Sequence, residues 1–330
     1  MTHAGRVTFF LAEVLAFTLL LQAAFPVLGT LLGHSFPAQL GIWLLYGFVA
    51  LVLGWILNRF QRKQGLRGLG FRYYRSFWGD VWAGTLGYAV LYLVSLPLDL
   101  VALPDRVKMT GQMLQQLSLT SLPQVVIAGS LIALVIGFVT GVFHEEIRFR
   151  GYYQGAGGVE LTPLAGFIIA VIPFTFGHGF SNRDWSIAQV AATVIPGVVF
   201  GLLYNATRSL VVVMTTHALT NWIGSYPVLL TVGTKSRTAG LVTAGVLAVL
   251  FLALVFARRK REFREWTEAT GKMFRHAPLF GLLAGGLIGL LLLLVWAYRL
   301  PAAHAGIAGA LLFGISVLGK RLAPVRLSST

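Results

Sequence analysis

Apolar residues arrive in long runs separated by short polar stretches. Ten runs stand out, near 7–32, 39–58, 77–103, 123–147, 161–179, 187–206, 209–230, 239–257, 279–298 and 302–319. A helix needs roughly 20 apolar residues to cross the hydrocarbon core of a bilayer. The pattern therefore predicts an all-α fold, a polytopic transmembrane helix bundle with about ten spanning helices. The first run is too long for a signal-peptide core and is expected to stay as a helix. The longest gaps are 59–76, 104–122 and 258–278, and no soluble domain fits into them. Asp105 to Leu122 reads equally as a surface amphipathic helix or as a loop.

The basic residues orient the bundle. With the N-terminus inside, the inner segments carry twenty of the 26 Lys and Arg residues and the outer segments six. That bias places both termini in the cytoplasm. The last two runs carry stripes of small residues, Gly281, Gly285 and Gly289 in one and Gly306, Ala310 and Gly314 in the other. Such stripes let helices approach closely in lipid. These two runs are expected to form a packing pair, a peripheral appendage to the bundle.

Composition agrees with a membrane protein. Charged residues are 11% of the 330 and hydrophobic residues 56%, against roughly 25% charged in an ordinary soluble domain. Disorder, coiled coil and a secreted disulfide scaffold are excluded by the same figures. The net charge of +15 sits in short loops between apolar runs. It points to anionic lipid headgroups and not to nucleic acid. The chain has no cysteine, which removes disulfides, thiolate metal sites and cysteine nucleophiles.

Ionisable groups deep in a membrane are costly and point to function. Glu262, Glu265 and Glu268 lie in the basic loop before the ninth run, and Asp80, Asp105, Glu160 and Asp184 at run ends or in loops. Asp99 is near an outer end. Glu13 is a lone carboxylate about two turns inside the first run. Glu145 and Glu146 remain, adjacent, and three histidines, His144, His178 and His217, join them within the apolar runs.

Helical spacing gives these residues directions. Glu146 and Arg150 stand at i and i+4 and can pair. Glu145 points about 100° away from Glu146, free to face a cavity. His217 and Asn221 repeat the i, i+4 spacing, as do Phe174 and His178. Each feature alone has a plain structural reading: a solvated cap, a hydrogen-bonded histidine, an asparagine joining two helices. Two carboxylates, two histidines and an amide in three neighbouring runs make the chemical reading.

Glu145–Glu146–Ile147–Arg148–Phe149–Arg150, Phe174 to His178 and His217 to Asn221 resemble, in order, the EExxxR, FxxxH and HxxxN motifs of the CPBP family, the intramembrane CAAX proteases and related bacteriocin-processing or immunity proteins. The resemblance covers about residues 123–230. It implies a glutamate-dependent endopeptidase acting on a membrane-associated peptide or protein. Glu145 would be the base that activates water, and His178 would help hold that water. His217 and Asn221 would stabilise the oxyanion, with Glu146 and Arg150 fixing the site. On this reading 1–122 supplies N-terminal helices, 123–230 the catalytic core and 231–330 C-terminal helices, in a multi-pass protein of the cell membrane. Its partners are membrane lipid and the peptide substrate.

No cofactor is expected. HExxH zinc chemistry fails because the fifth position is Arg148, while a zinc site on Glu145, His178 and His217 stays open. The GxSG and GxGD sequences of serine and paired-aspartate intramembrane proteases are absent. A proton-coupled transporter and a non-catalytic immunity protein are the alternatives outside proteolysis.

The peptidase reading has a geometric requirement. Read naively, Glu145 falls near the inner end of its run and His178 near the outer end of the next. They converge if the fourth helix continues past Arg150 to about Gln154, or if the fifth is tilted or broken at Pro173 and Gly177.

Overall fold

The computed structural model describes residues 3–33, 35–181, 187–275, 277–298 and 300–322. Asp184, assigned above to a run end or loop, lies outside them. The described residues form helices α1 (His3–Leu32), α2 (Phe36–Arg62), α3 (Phe77–Gln116), α4 (Leu122–Gly137), α5 (Phe143–Glu145), α6 (Gly155–Glu160), α7 (Pro163–Ser181), α8 (Ile187–Thr207), α9 (Leu210–Trp222), α10 (Tyr226–Thr234), α11 (Arg237–Arg275), α12 (Pro278–Tyr298) and α13 (Ala302–Leu322). No strand occurs among them. Five helices are long and apolar enough to cross a membrane, beginning at Gly5, Pro37, Phe77, Arg237 and Pro278. Four shorter apolar helices, Leu122–Val135, Pro163–His178, Thr193–Thr207 and Ala302–Val317, accompany them.

Two of the three gaps between runs are largely helical, and the first is partly so. Residues 105–116 continue α3 through Pro104, so the segment is neither a separate surface helix nor a plain loop. The basic stretch after 257 continues α11 to Arg275. There Arg75 donates to Glu262 at 2.9 Å and Glu265 at 3.0 Å, fastening this polar extension to the start of α3. Residues 65–69 form a short 3-10 turn.

Asp80 ties that region down from within. It is fully buried and accepts the backbone N–H groups of Tyr74 and Arg75 and the hydroxyl of Ser209, at 2.8, 2.9 and 2.7 Å. Ser209 opens α9, so a single carboxylate satisfies the orphan donors before α3 and sets where α9 begins.

The motif segment is one helical rod over 122–160. It passes from α4 through a π-helical turn (Phe138–Val142), α5 and a second π-helical stretch (Glu146–Gln154) into α6. Wide π turns appear mostly as local features at functional sites. Here small residues permit the close packing they bring. A Cβ on Gly151 would lie 2.9 Å from the Leu69 carbonyl, and one on Gly155 3.0 Å from the Tyr204 hydroxyl. The rod supplies the continuation past Arg150 that the site requires, and α7 runs through Pro173 as one helix.

Glu13 is not a lone carboxylate. It is fully buried and accepts Nη1 of Arg62 at 2.7 Å and the Tyr152 hydroxyl at 2.6 Å. Arg62 also reaches Glu160, with Nε 3.2 Å from Oε1. The cluster joins α1, α2, the second π-helical stretch and the end of α6, so each buried charge meets an opposite one. Around it lies the main core, with Phe17, Tyr46, Ile147, Tyr153, Ile169 and Phe200 among its members. The terminal pair is no peripheral appendage either. α12 packs along α7 and α13 along α1, against that core.

Candidate active site

Glu145 and Glu146 leave the rod in different directions. Glu146 is fully buried. Its Oε1 accepts Nη1 of Arg150 at 3.1 Å and lies 2.7 Å from Nδ1 of His217. Arg150, also fully buried, donates Nη2 to the Gly197 carbonyl at 3.2 Å. Its guanidinium lies 4.1 Å from the centroid of Phe174 and 5.1 Å from that of Phe200. Such cation–π contacts strengthen when desolvated, so the buried arginine is held by two rings as well as at its donors.

Glu145 stands between two imidazoles. Its Oε1 is 3.6 Å from Nε2 of His178, and its Oε2 is 4.0 Å from Nε2 of His217. Both separations exceed direct hydrogen-bond length, the range in which a water bridges two groups. Oε2 is buried and takes no hydrogen bond from the described protein groups.

Each histidine is oriented from behind. Nδ1 of His178 sits 2.6 Å from the Phe174 carbonyl, one turn earlier in α7. Donation from that nitrogen fixes the ring with Nε2 toward Glu145. His217 has Nδ1 on Glu146 and its ring stacked on Phe200, centroids 4.7 Å apart. Next to it, Thr216 donates to the Gly84 carbonyl at 2.9 Å. A Cβ on Gly84 would lie 2.5 Å from the Val212 carbonyl. Only glycine there lets α9 come this close to α3 and carry His217 to Glu146.

Asn221 is placed differently. Its side chain lies along the turns that precede Glu145, with Nδ2 3.2 Å from the position of a Cβ on Gly137 and 3.8 Å from one on Gly141. It thus packs on the same rod, about one turn before Glu145.

Beside Glu145 opens a cavity of about 400 Å³, within the size range of ligand pockets. Glu145, His178, His144, Arg148 and Gln22 are its polar lining. The rest is apolar or aromatic, with Phe25, Trp43, Tyr46, Phe149 and Leu300 among the walls. His217 and Asn221 stand outside this lining. Of the six residues selected from sequence, five form one connected cluster and Asn221 borders it.

Arg148 donates Nε to the Tyr153 hydroxyl at 3.1 Å, and its guanidinium lies 4.8 Å from the Phe149 ring centroid. Tyr153 in turn shares a 2.6 Å hydrogen bond with Thr18. Sequence reasoning missed Trp43 and Tyr46, which flank His144 with ring centroids 5.0 and 5.3 Å away. They come from α2, and nothing in their spacing announced it. No group of three His, Asp or Glu side chains among the described residues has metal-binding geometry.

Residues 127–223 match the family described as type II CAAX prenyl endopeptidase Rce1-like. All three motifs fall within that segment. No curated protein and no solved structure matches the chain.

Proposed function

We propose, from the place of residues 127–223 in the CPBP/CAAX protease family, that this integral membrane protein is an endopeptidase that cuts a membrane-associated peptide with water activated by Glu145. The single observation that supports it is the Glu145 carboxylate set between Nε2 of His178 and Nε2 of His217, at 3.6 and 4.0 Å, on the edge of a cavity.

Water held between Glu145 and His178 gives a proton to Glu145, and its oxygen attacks the carbonyl carbon of the scissile peptide. The carbonyl π bond opens to an oxyanion. Donors from His217, as imidazolium, and from Asn221 stabilise that charge. The C–N bond then breaks, and the proton held by Glu145 passes to the leaving amine. A positioned general base contributes typically 10²–10⁴-fold, and each oxyanion donor about 3–4 kcal/mol. Glu146 and Arg150 are positioning residues, acting through the ring of His217. No metal takes part in this scheme.

The substrate is a CAAX-type lipidated peptide or a bacteriocin leader. The catalytic core is 123–230, and ten helical segments cross the cell membrane with both termini cytoplasmic. In that topology the rod 122–160 is one crossing and α9 with α10 another. The test is cleavage of fluorogenic prenylated and leader peptides by the purified protein in detergent. Glu145→Gln is expected to lower turnover by about 10²–10⁴-fold while the fold persists. Turnover that stays within about tenfold of the unsubstituted protein removes Glu145 from the reaction, and inhibition by chelators overturns the metal-free scheme.

A further inference from the structure

The terminal hairpin lies outside the segment that matches the family, yet its turn reaches the cavity. α12 follows α7 in step. A Cβ on Gly281 would lie 3.1 Å from Leu164 Cβ, one on Gly285 2.9 Å from the Ala165 carbonyl, and one on Gly289 3.1 Å from Ile172 Cβ. α13 follows α1 in the same way. A Cβ on Gly309 would lie 2.9 Å from Leu20 Cγ, and one on Gly306 3.7 Å from Ala23 Cβ.

These contacts fix both arms to two of the helices that line the cavity. α7 carries Pro173 and Phe174 directly beyond Ile172, and α1 carries Gln22, Phe25 and Pro26 directly beyond Leu20. Between the arms, Leu300 joins that same lining. It remains 39% exposed, a large apolar side chain in the cavity wall.

We infer that the α12–α13 hairpin is the wall that sets the size of the apolar group the cavity admits, with Leu300 as the specificity-determining residue. The inference rests on the peptidase reading for its ligand, a peptide bearing an S-linked hydrocarbon chain. Continuity carries the assignment. The cavity that presents Glu145 and His178 on its polar side presents Phe25, Pro26 and Leu300 elsewhere, so one bound peptide places its scissile bond and its chain in the same space.

The chain has no cysteine, so a single thiol at position 300 can be read without background. Leu300→Cys is made in the full-length protein carrying Glu145→Gln, which suppresses turnover. A control carries Leu287→Cys, a position 71% exposed on α12. Each is labelled with a maleimide in the presence of an S-farnesyl-cysteine peptide or its S-methyl counterpart. The farnesyl peptide, near saturation, is expected to slow labelling at position 300 about fivefold, as occupancy dictates. The methyl peptide at the same concentration, and the position 287 control, should show no change. Equal labelling at position 300 with and without the farnesyl peptide overturns the inference.

A second arm uses turnover. Leu300→Trp is expected to lower kcat/KM for the farnesyl peptide about tenfold or more, the scale of a pocket wall displaced by a bulky group, and for the methyl peptide less than about twofold. An equal loss for both overturns the inference. Failure of the peptidase reading registers separately, as protection at position 300 in a protein whose unsubstituted form cleaves neither peptide.

Discussion

Oε1 of Glu146 lies 2.7 Å from Nδ1 of His217 and 3.1 Å from Nη1 of Arg150, so one oxygen joins the first motif to the third. Adjacent glutamates thereby acquire different tasks. Glu146 is spent on fixing an imidazole and matching a buried guanidinium. Glu145, turned the other way, keeps a carboxylate oxygen with no hydrogen-bond donor among the described residues. The second motif closes the arrangement through Phe174, whose ring carries Arg150 and whose carbonyl orients His178.

Substituting the two glutamates should separate these tasks. Glu146→Gln leaves an acceptor for His217 but removes the charge that faces Arg150. Breaking a buried pair from one side costs about 3–5 kcal/mol, so the expected outcome is a markedly lower melting temperature in detergent together with reduced cleavage. Glu145→Gln should leave melting nearly unchanged and lower kcat by about 10²–10⁴-fold. Equal effects of both substitutions on melting would contradict this division.

Phe174 supports Arg150 and His178 through its ring, which lies 4.1 Å from the guanidinium and 4.8 Å from the imidazole centroid. Phe174→Leu keeps the backbone carbonyl that His178 uses but removes the aromatic face. A desolvated cation–π contact is worth about 2 kcal/mol. The expected result in steady-state kinetics is a kcat reduced by roughly tenfold or more, with Phe174→Tyr recovering most of it.

The rod 122–160 shows what sequence could and could not reveal. The Glu146–Arg150 pair and the divergence of Glu145 follow from spacing alone, because neighbours on one helix are dictated by its period. The fourth apolar run ends at 147 in the sequence pattern because the next residues are charged and aromatic. It continues because Tyr152, Tyr153 and Arg150 find buried partners on other helices. Those partners are distant in sequence, as with Glu13 and Tyr152, and no local pattern encodes them. The small-residue stripe at 281–289 revealed close helix contact but not its target, whereas in α13 the close contact falls on Gly309, outside the Gly306, Ala310 and Gly314 stripe, whose Gly314 meets nothing within 4 Å. α12 and α13 settle on α7 and α1 because those helices present Ala165 and Ala16 where the glycines arrive.

The Glu13–Arg62–Tyr152 cluster should act on stability and not on chemistry. Glu13→Gln leaves Arg62 with only Glu160 as its ion pair in the cluster, and about 3–5 kcal/mol of destabilisation is expected. Tyr152→Phe removes one hydrogen bond to a charged group, worth about 1.5–3 kcal/mol. Melting measured by tryptophan fluorescence should rank Glu13→Gln below Tyr152→Phe and both below the unsubstituted protein. KM for a cleaved peptide should stay within about twofold, because neither residue lines the cavity.

Asn221 offers the sharpest choice between a chemical and a packing role. Its amide lies along Gly137 and Gly141, about one turn before the residue it would assist. Catalytic hydrogen bonds often tighten only when substrate binds. An oxyanion donor would then reach its place by a small slide of α9 along the rod, which the glycine surface at 137 and 141 permits. In that case Asn221→Ala should lower kcat by about 10²–10³-fold with KM and melting nearly unchanged. A packing role predicts the reverse, a lower melting temperature with kcat preserved in the folded fraction. Gly137→Ala provides a second handle. The added methyl would lie 3.1 Å from Asn221 Cβ, and by resisting the slide it should lower kcat with Asn221 itself intact. If Asn221→Ala lowers kcat while Gly137→Ala leaves it untouched, the amide acts from where it already stands.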